Sequence, residues 1–161
     1  VLAKRFNVLP RLAMPVDCNA SWNGKPILGP NKTMRGFVLG IAAAITVTTS
    51  QTLLYPLFPF PTIGLVNYAS VNPRVLGSLL GFGSLLGDNL GSFIKRRAGK
   101  KPGEPFPILD QTGMAVIAIA VVVMVYPLSV TAVIAGIVMT FLWHITAART
   151  AFILKIRREK W

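Results

Sequence analysis

Apolar residues along this chain gather into four long stretches that are almost free of charge, at about 33–55, 74–96, 112–127 and 129–154. Crossing a hydrocarbon core as a helix takes roughly 20 apolar residues, a length the third stretch only just approaches. Backbone groups in lipid find no water to bond, so separated apolar runs of this length predict helices that satisfy their own hydrogen bonds. The pattern therefore predicts an all-α fold, a polytopic integral membrane bundle of four transmembrane helices in one membrane-embedded domain over 1–161. Polar segments over 1–32 and 97–111 are predicted to be loops that form the active site. The first is punctuated by Pro10, Pro15, Asn19, Asn23, Gly24, Pro26, Gly29 and Pro30, which favour turns over a helix. Pro56, Pro59, Pro61 and Pro73 likewise exclude a long helix between the first two spans.

Within the spans, small residues recur at four-residue steps, Gly36, Gly40 and Ala44 in the first and Gly83, Gly87 and Gly91 in the second. Such ridges let helix backbones approach closely and carry no chemistry themselves. The first apolar run begins only after about thirty polar, proline-containing residues, unlike a secretory signal. Val1 is not a methionine, and Val1 to Ala3 read as the end of a longer segment, a missing upstream helix.

Composition agrees with the pattern, since 53% of residues are hydrophobic and the mean hydropathy is +0.59. Charge adds orientation. Seventeen Lys and Arg against five Asp and Glu give a net +12, with the cations in the opening segment, the middle loop (Lys95, Arg96, Arg97, Lys100, Lys101) and the tail (Lys155, Arg157, Arg158, Lys160). The 56–73 and 127–129 turns have none. By the positive-inside rule the basic segments face the cytoplasm, and an even number of spans brings both ends there. Cations confined to the membrane edge point to lipid headgroups or phosphorylated substrates, and not to nucleic acid. Cys18 and His144 are single, which excludes a disulfide framework, a cysteine zinc site and a His dyad within one chain. His144 reads as a packed or interfacial residue.

Three groups of residues carry candidate chemistry. Asp88 interrupts the second apolar stretch at depth, where an ionised carboxylate needs a partner. Helical spacing places Ser84, Asp88, Ser92 and Lys95 on one stripe, with Arg96 beside it. Asp110-Gln111-Thr112-Gly113 opens the third span from the same side, so that Asp110 is either a helix cap or a second carboxylate for a hard cation. The third group is Gly29-Pro30-Asn31-Lys32-Thr33-Met34-Arg35-Gly36 at the start of the first span. There Lys32 and Arg35 oppose the helix dipole unless an anion joins them, as a bound phosphate or a lipid headgroup would.

Leu86-Gly87-Asp88-Asn89-Leu90-Gly91-Ser92-Phe93-Ile94-Lys95-Arg96-Arg97, followed by Lys101-Pro102-Gly103 and Ile108-Leu109-Asp110-Gln111, resembles the CDP-archaeol synthases. Pro15-Val16-Asp17 and the Gly29–Gly36 string resemble that family's amino-terminal motifs. The resemblance implies transfer of CMP from CTP to an unsaturated archaeal ether lipid phosphate, 2,3-bis-O-geranylgeranylglycerol 1-phosphate, with loss of pyrophosphate. It also implies five spans, one more than this chain has, and kinship with the CDP-diacylglycerol synthases. Those relatives carry Lys-Asp and Asp-Arg where this chain has Lys101-Pro102 and Asp110-Gln111. On this reading Asp88 and Asp110 hold Mg²⁺, and Lys95, Arg96 and Lys32 bind phosphate, with Arg35 and Arg97 as further candidates. Thr33, Asn89, Ser92 and Gln111 orient ligands or read the nucleotide, and Asp17 holds the loop against the site or binds ligand. The partners are CTP, a prenylated ether lipid phosphate and the bilayer, with a multi-pass protein in the cell membrane and its active site facing the cytoplasm. Rival readings are a CDP-diacylglycerol synthase acting on phosphatidic acid, a glycerol phosphate acyltransferase, and a non-enzymatic anion transporter.

Overall fold

Capping residues and prolines set where the helices begin. Thr33, extended at φ −115°, caps α1 (Met34–Leu54) by accepting the Gly36 N–H. Asn72 caps α2 (Pro73–Arg97) by accepting from Arg74 and Val75, and Pro73 sits at the first helical position, where no N–H is needed. Pro107 does the same for α3 (Pro107–Val123), and α4 (Val130–Ile153) completes the bundle. The computed structural model describes residues 8–57, 65–102, 104 and 106–153, without the side chains of 107, 108, 111, 151 and 152. Lys4, Arg5, Pro59, Pro61, Gly103 and the basic tail fall outside those residues, as does the Gln111 side chain.

The molecule is mostly helical, and its helices follow the four apolar stretches with one displacement. α3 begins at Pro107, five residues before the apolar run, so the polar loop is shorter than hydropathy indicates. Proline fixes the helical φ, and the polar Asp110 and Gln111 fall in the opening residues of the helix; the apolar boundary marks a change of solvent and not the helix start. Two segments, Met34–Leu57 and Val130–Thr150, are long and apolar enough to cross a membrane, with mean hydropathies of 1.6 and 1.9. The apolar part of α3, Thr112–Val123, is shorter, and α2 is diluted by glycine, serine and Asp88.

α2 lies between α1 and α3, and α4 packs on α3. Glycine makes this possible, on two sides of the same helix. A Cβ at Gly77 would stand 2.6 Å from the Ile45 Cα, and one at Gly81 would stand 2.9 Å from the Ile41 Cα, both on α1. A Cβ at Gly83 would stand 2.6 Å from the Ala118 Cα, and one at Gly87 2.7 Å from the Gly113 carbonyl oxygen, both on α3. Backbone-to-backbone contact of this kind replaces the hydrophobic drive that lipid removes. Gly40, by contrast, meets only the Leu85 side chain. Buried Thr48 ties the far end together by donating its hydroxyl to the Pro73 carbonyl at 2.8 Å.

The opening segment adds a small β element to the helical class. Ser21–Trp22 (β1) and Lys25–Pro26 (β2) pair antiparallel across Asn23 and Gly24, both at positive φ, as a two-residue hairpin turn requires. Pairing resumes further back, where Ile27 donates to Ala20, Val16 to Lys32 at 2.8 Å, and Met34 to Met14. The segment thus runs out from Met14, turns at the hairpin and returns to Thr33 at the head of α1. Arg97 holds the hairpin to α2: its guanidinium donates to the carbonyls of Trp22, Lys25 and Pro26 and lies over the Trp22 and Phe93 rings.

Candidate active site

One end of the bundle gathers the start of α1, the end of α2 and the start of α3. Here two lysine–carboxylate pairs form across elements. Lys32, one residue before the α1 cap, reaches Asp88 of α2 at 2.5 Å from Nζ to Oδ2. Lys95 of α2 reaches Asp110 of α3 at 2.6 Å from Nζ to Oδ1. All four side chains are partly shielded, Lys95 the most at 13% exposed and Asp88 the least at 36%. Asp110 also takes the Phe106 N–H on Oδ2 at 2.9 Å, so both its oxygens are engaged and it serves the helix start as well. The second oxygen of Asp88 is bonded to no described residue.

Two adjoining cavities surround these pairs, and Asn31 and Lys32 belong to the walls of both. One, of about 140 Å³, is lined by Lys32, Lys95, Arg96, Ser92, Asp110 and Glu104 among others. The other, of about 110 Å³, is lined by Lys32, Thr33, Asp88 and Asn89 with the apolar Phe37 and Leu85. Ser92 and Arg96 are buried at 3% and 4% exposure, where the neighbouring Gly91 leaves α2 slender. Arg96 spends one N–H on the Lys100 carbonyl at 2.5 Å, and its Nε–H is buried with no partner among the described residues. Arg97 has a buried Nε–H of the same kind on the hairpin side, but only Arg96 stands in a cavity wall beside two lysines, where its unmet donor has the chemistry to take an anion.

The remaining predicted residues separate. Thr33 is a helix cap, although it also borders the smaller cavity. Arg35 turns outward and donates to the Val8 carbonyl at 3.3 Å, and Arg97 faces the hairpin. Gln111 follows Asp110 as the fifth residue of α3, its side chain outside the described residues.

Residues 2–161 match the family model described as CarS-like, CDP-archaeol synthase. The chain belongs to the CDP-archaeol synthase family. The CDP-archaeol synthase of Halobacterium salinarum is 30% identical over 153 residues, covering 91% of this chain and 83% of its own. That of Methanospirillum hungatei is 32% identical over 172 residues, covering 99% of this chain and 97% of its own. A solved structure described as an intramembrane enzyme for archaeal membrane lipids biosynthesis superposes with a TM-score of 0.64 at 28% identity, covering 90% of this chain and 87% of that one.

Sequence reasoning missed two residues of the cavity walls in this family member. Asn31 stands within a motif it singled out, yet only the fold shows it in both cavity walls. Glu104 pairs with Lys100 at 2.5 Å and takes the Lys101 N–H; the Lys100–Glu104 spacing was the available signal. Those bonds, the Lys100 ammonium first, hold the Glu104 carboxyl below its ordinary value. Among the described residues no three His, Cys, Asp or Glu side chains stand close enough to form a metal cluster. The donor set nonetheless fits a hard cation whose shell the substrate completes. Asp88 offers an oxygen that no described residue engages, and Asp110 would offer a second donor if Lys95 turned to another anion.

Proposed function

We propose that this chain makes CDP-archaeol, transferring CMP from CTP to the phosphate of a prenylated ether lipid at the end of the bundle where the two lysine–carboxylate pairs meet. The observation that carries this reading is the pairing itself. Lys32 and Lys95 stand against Asp88 and Asp110, beside the buried Arg96, in the walls of two adjoining cavities.

The lipid phosphate oxygen attacks the α-phosphorus of CTP, a bond forms between them, and the bond from the α-phosphorus to the pyrophosphate oxygen breaks. A phosphate monoester is largely dianionic at neutral pH, its second pKa being about 6, so the chain need supply neither a covalent nucleophile nor a strong base. What it supplies is position and positive charge where the leaving group gathers negative charge. When a triphosphate enters, Lys32 and Lys95 gain a more highly charged partner and leave the carboxylates. Arg96 meets the same anion with the Nε–H that no described residue engages. The carboxylates so released would hold Mg²⁺ through Asp88 and Asp110, which would lend the triphosphate further positive charge. Ser92, Asn89 and Asn31 border the same space and supply neutral hydrogen bonds.

In this reading the chain is one domain over 1–161 with all four helices in the cell membrane. α2 and the short α3 are carried across by their contacts with α1 and α4, and the site faces the cytoplasm, where CTP is found. The test is purified protein incubated with labelled CTP, Mg²⁺ and either ether-linked or ester-linked lipid phosphate, followed by lipid extraction. Label enters the organic phase with the ether lipid. Absence of label with both lipids overturns the reading, and preference for the ester lipid reassigns the substrate.

A further inference from the structure

Asp17 is not part of either lysine pair and lines neither cavity, yet its carboxylate is among the most fully used in the described molecule. Oδ2 accepts the Leu28 N–H at 2.8 Å and the Gly29 N–H at 3.1 Å, and Oδ1 accepts the Asn19 N–H at 3.2 Å. These bonds fall where the backbone ladder of the opening segment is interrupted. Below them Val16 pairs with Lys32 and Met14 with Met34; above them Ala20 pairs with Ile27. Between these rungs the outgoing strand makes a turn through Cys18 and Asn19, both at positive φ, while the returning strand swings aside through Leu28 and Gly29, the latter at φ +104°. The Asp17 carboxylate fills the gap in place of a backbone carbonyl.

The strand held in this way is part of the site. Leu28, Gly29, Asn31 and Lys32 all line the larger cavity, and the Gly29 carbonyl accepts the Lys32 N–H at 3.2 Å, closing the turn that carries Lys32. Opposite, Gly29 lies near Pro102 of the α2–α3 connection, a Cβ there standing 3.7 Å from the proline ring. We infer that Asp17 is a positioning residue for phosphate binding, its carboxylate locking the Leu28–Lys32 turn so that Lys32 stands in the wall between the two cavities. This inference rests on the proposed reaction and adds to it a residue that never touches substrate.

A lost charged acceptor for two backbone donors is worth enough to matter here, since 1.4 kcal/mol is tenfold in binding. Asp17→Ala is expected to raise KM for CTP about tenfold while kcat changes less than threefold. Asp17→Asn keeps an oxygen for Leu28 and Gly29 and is expected to recover most of that loss. Because the effect passes through Lys32, adding Asp17→Ala to Lys32→Ala is expected to raise KM little beyond the Lys32→Ala value. Wild-type protein in the same assay reports separately on the reaction itself. An active wild type with an unchanged KM in Asp17→Ala overturns the positioning role, as does full additivity with Lys32→Ala. Asp17→Asn as damaging as Asp17→Ala, with activity regained at high Mg²⁺, overturns it in favour of direct metal binding. If Asp17→Ala does not survive extraction in detergent, Asp17→Ser, whose hydroxyl is too short to take both the Leu28 and Gly29 N–H groups, carries the same comparison alone and with Lys32→Ala.

Discussion

At the scale of single residues, Asp88, Asp110 and Asp17 each already have a neighbour on at least one carboxylate oxygen, and this determines what their removal does. Asp88→Asn removes the charge that faces Lys32 but keeps the shape, so the folded protein is expected to survive while kcat falls by about a hundredfold or more. Steady-state turnover alongside a detergent unfolding curve checks both halves. Asp110 is different because Oδ2 also holds the Phe106 N–H. Asp110→Ala is therefore expected to lower stability as well as turnover, by about 1 kcal/mol for a lost cap-like bond. Asp17 gives a pH signature. Its partial burial would raise its pKa, but the N–H groups of Leu28, Gly29 and Asn19 together outweigh that and hold the carboxyl below its ordinary value. A depressed acid stabilises above its unfolded pKa and loses that contribution as pH falls through the folded one. The stability advantage of wild type over Asp17→Asn is expected to be constant from pH 7 to 5 and to decline as pH falls below the ordinary aspartate pKa of about 3.9 toward the depressed folded value.

At the scale of elements, α2 does the organising, with one side against α1, the other against α3, and its last turn carrying Lys95, Arg96 and Arg97. Cations suit a helix C-terminus, so these residues have a local reason to be there whatever they do at the site. Gly87→Val is expected to unfold at a Tm several degrees lower, because its side chain meets the Gly113 carbonyl and overpacking costs about 1–3 kcal/mol. Gly113→Ala, whose Cβ meets only Leu109 side-chain carbon at 3.7 Å, is the matched control and is expected to change Tm little. The four-residue glycine ridge on α2 was visible as a pattern, but which neighbour each glycine met was not. Gly83 and Gly87 approach α3, while α1 is met by Gly77 and Gly81, at positions outside that ridge.

At the scale of the whole molecule, the site lies at one end, and membrane orientation decides whether CTP reaches it. Cys18 stands exposed in the opening segment on that same end and is the chain's one cysteine. A membrane-impermeant maleimide is expected to label it in inside-out vesicles and to leave it unlabelled in right-side-out vesicles. Labelling in right-side-out vesicles instead contradicts a cytoplasmic site.

Sequence by itself determined the helices and much of the chemistry, because apolar run length, proline position and cap residues act locally. Asp88 stood out for the same reason, as an isolated charge in an apolar run. Tertiary structure decided what local rules do not encode, which is who pairs with whom. It joined Lys32 to Asp88 across 56 positions and Lys95 to Asp110 across 15, and it sent Arg97 to the hairpin although its neighbour Arg96 is buried at the cavity. Adjacent residues on a helix point about 100° apart, so a run of three cations necessarily serves different neighbours. Long-range partners follow from how closely the glycines let three helix ends approach, and that distance exists only once the bundle has formed.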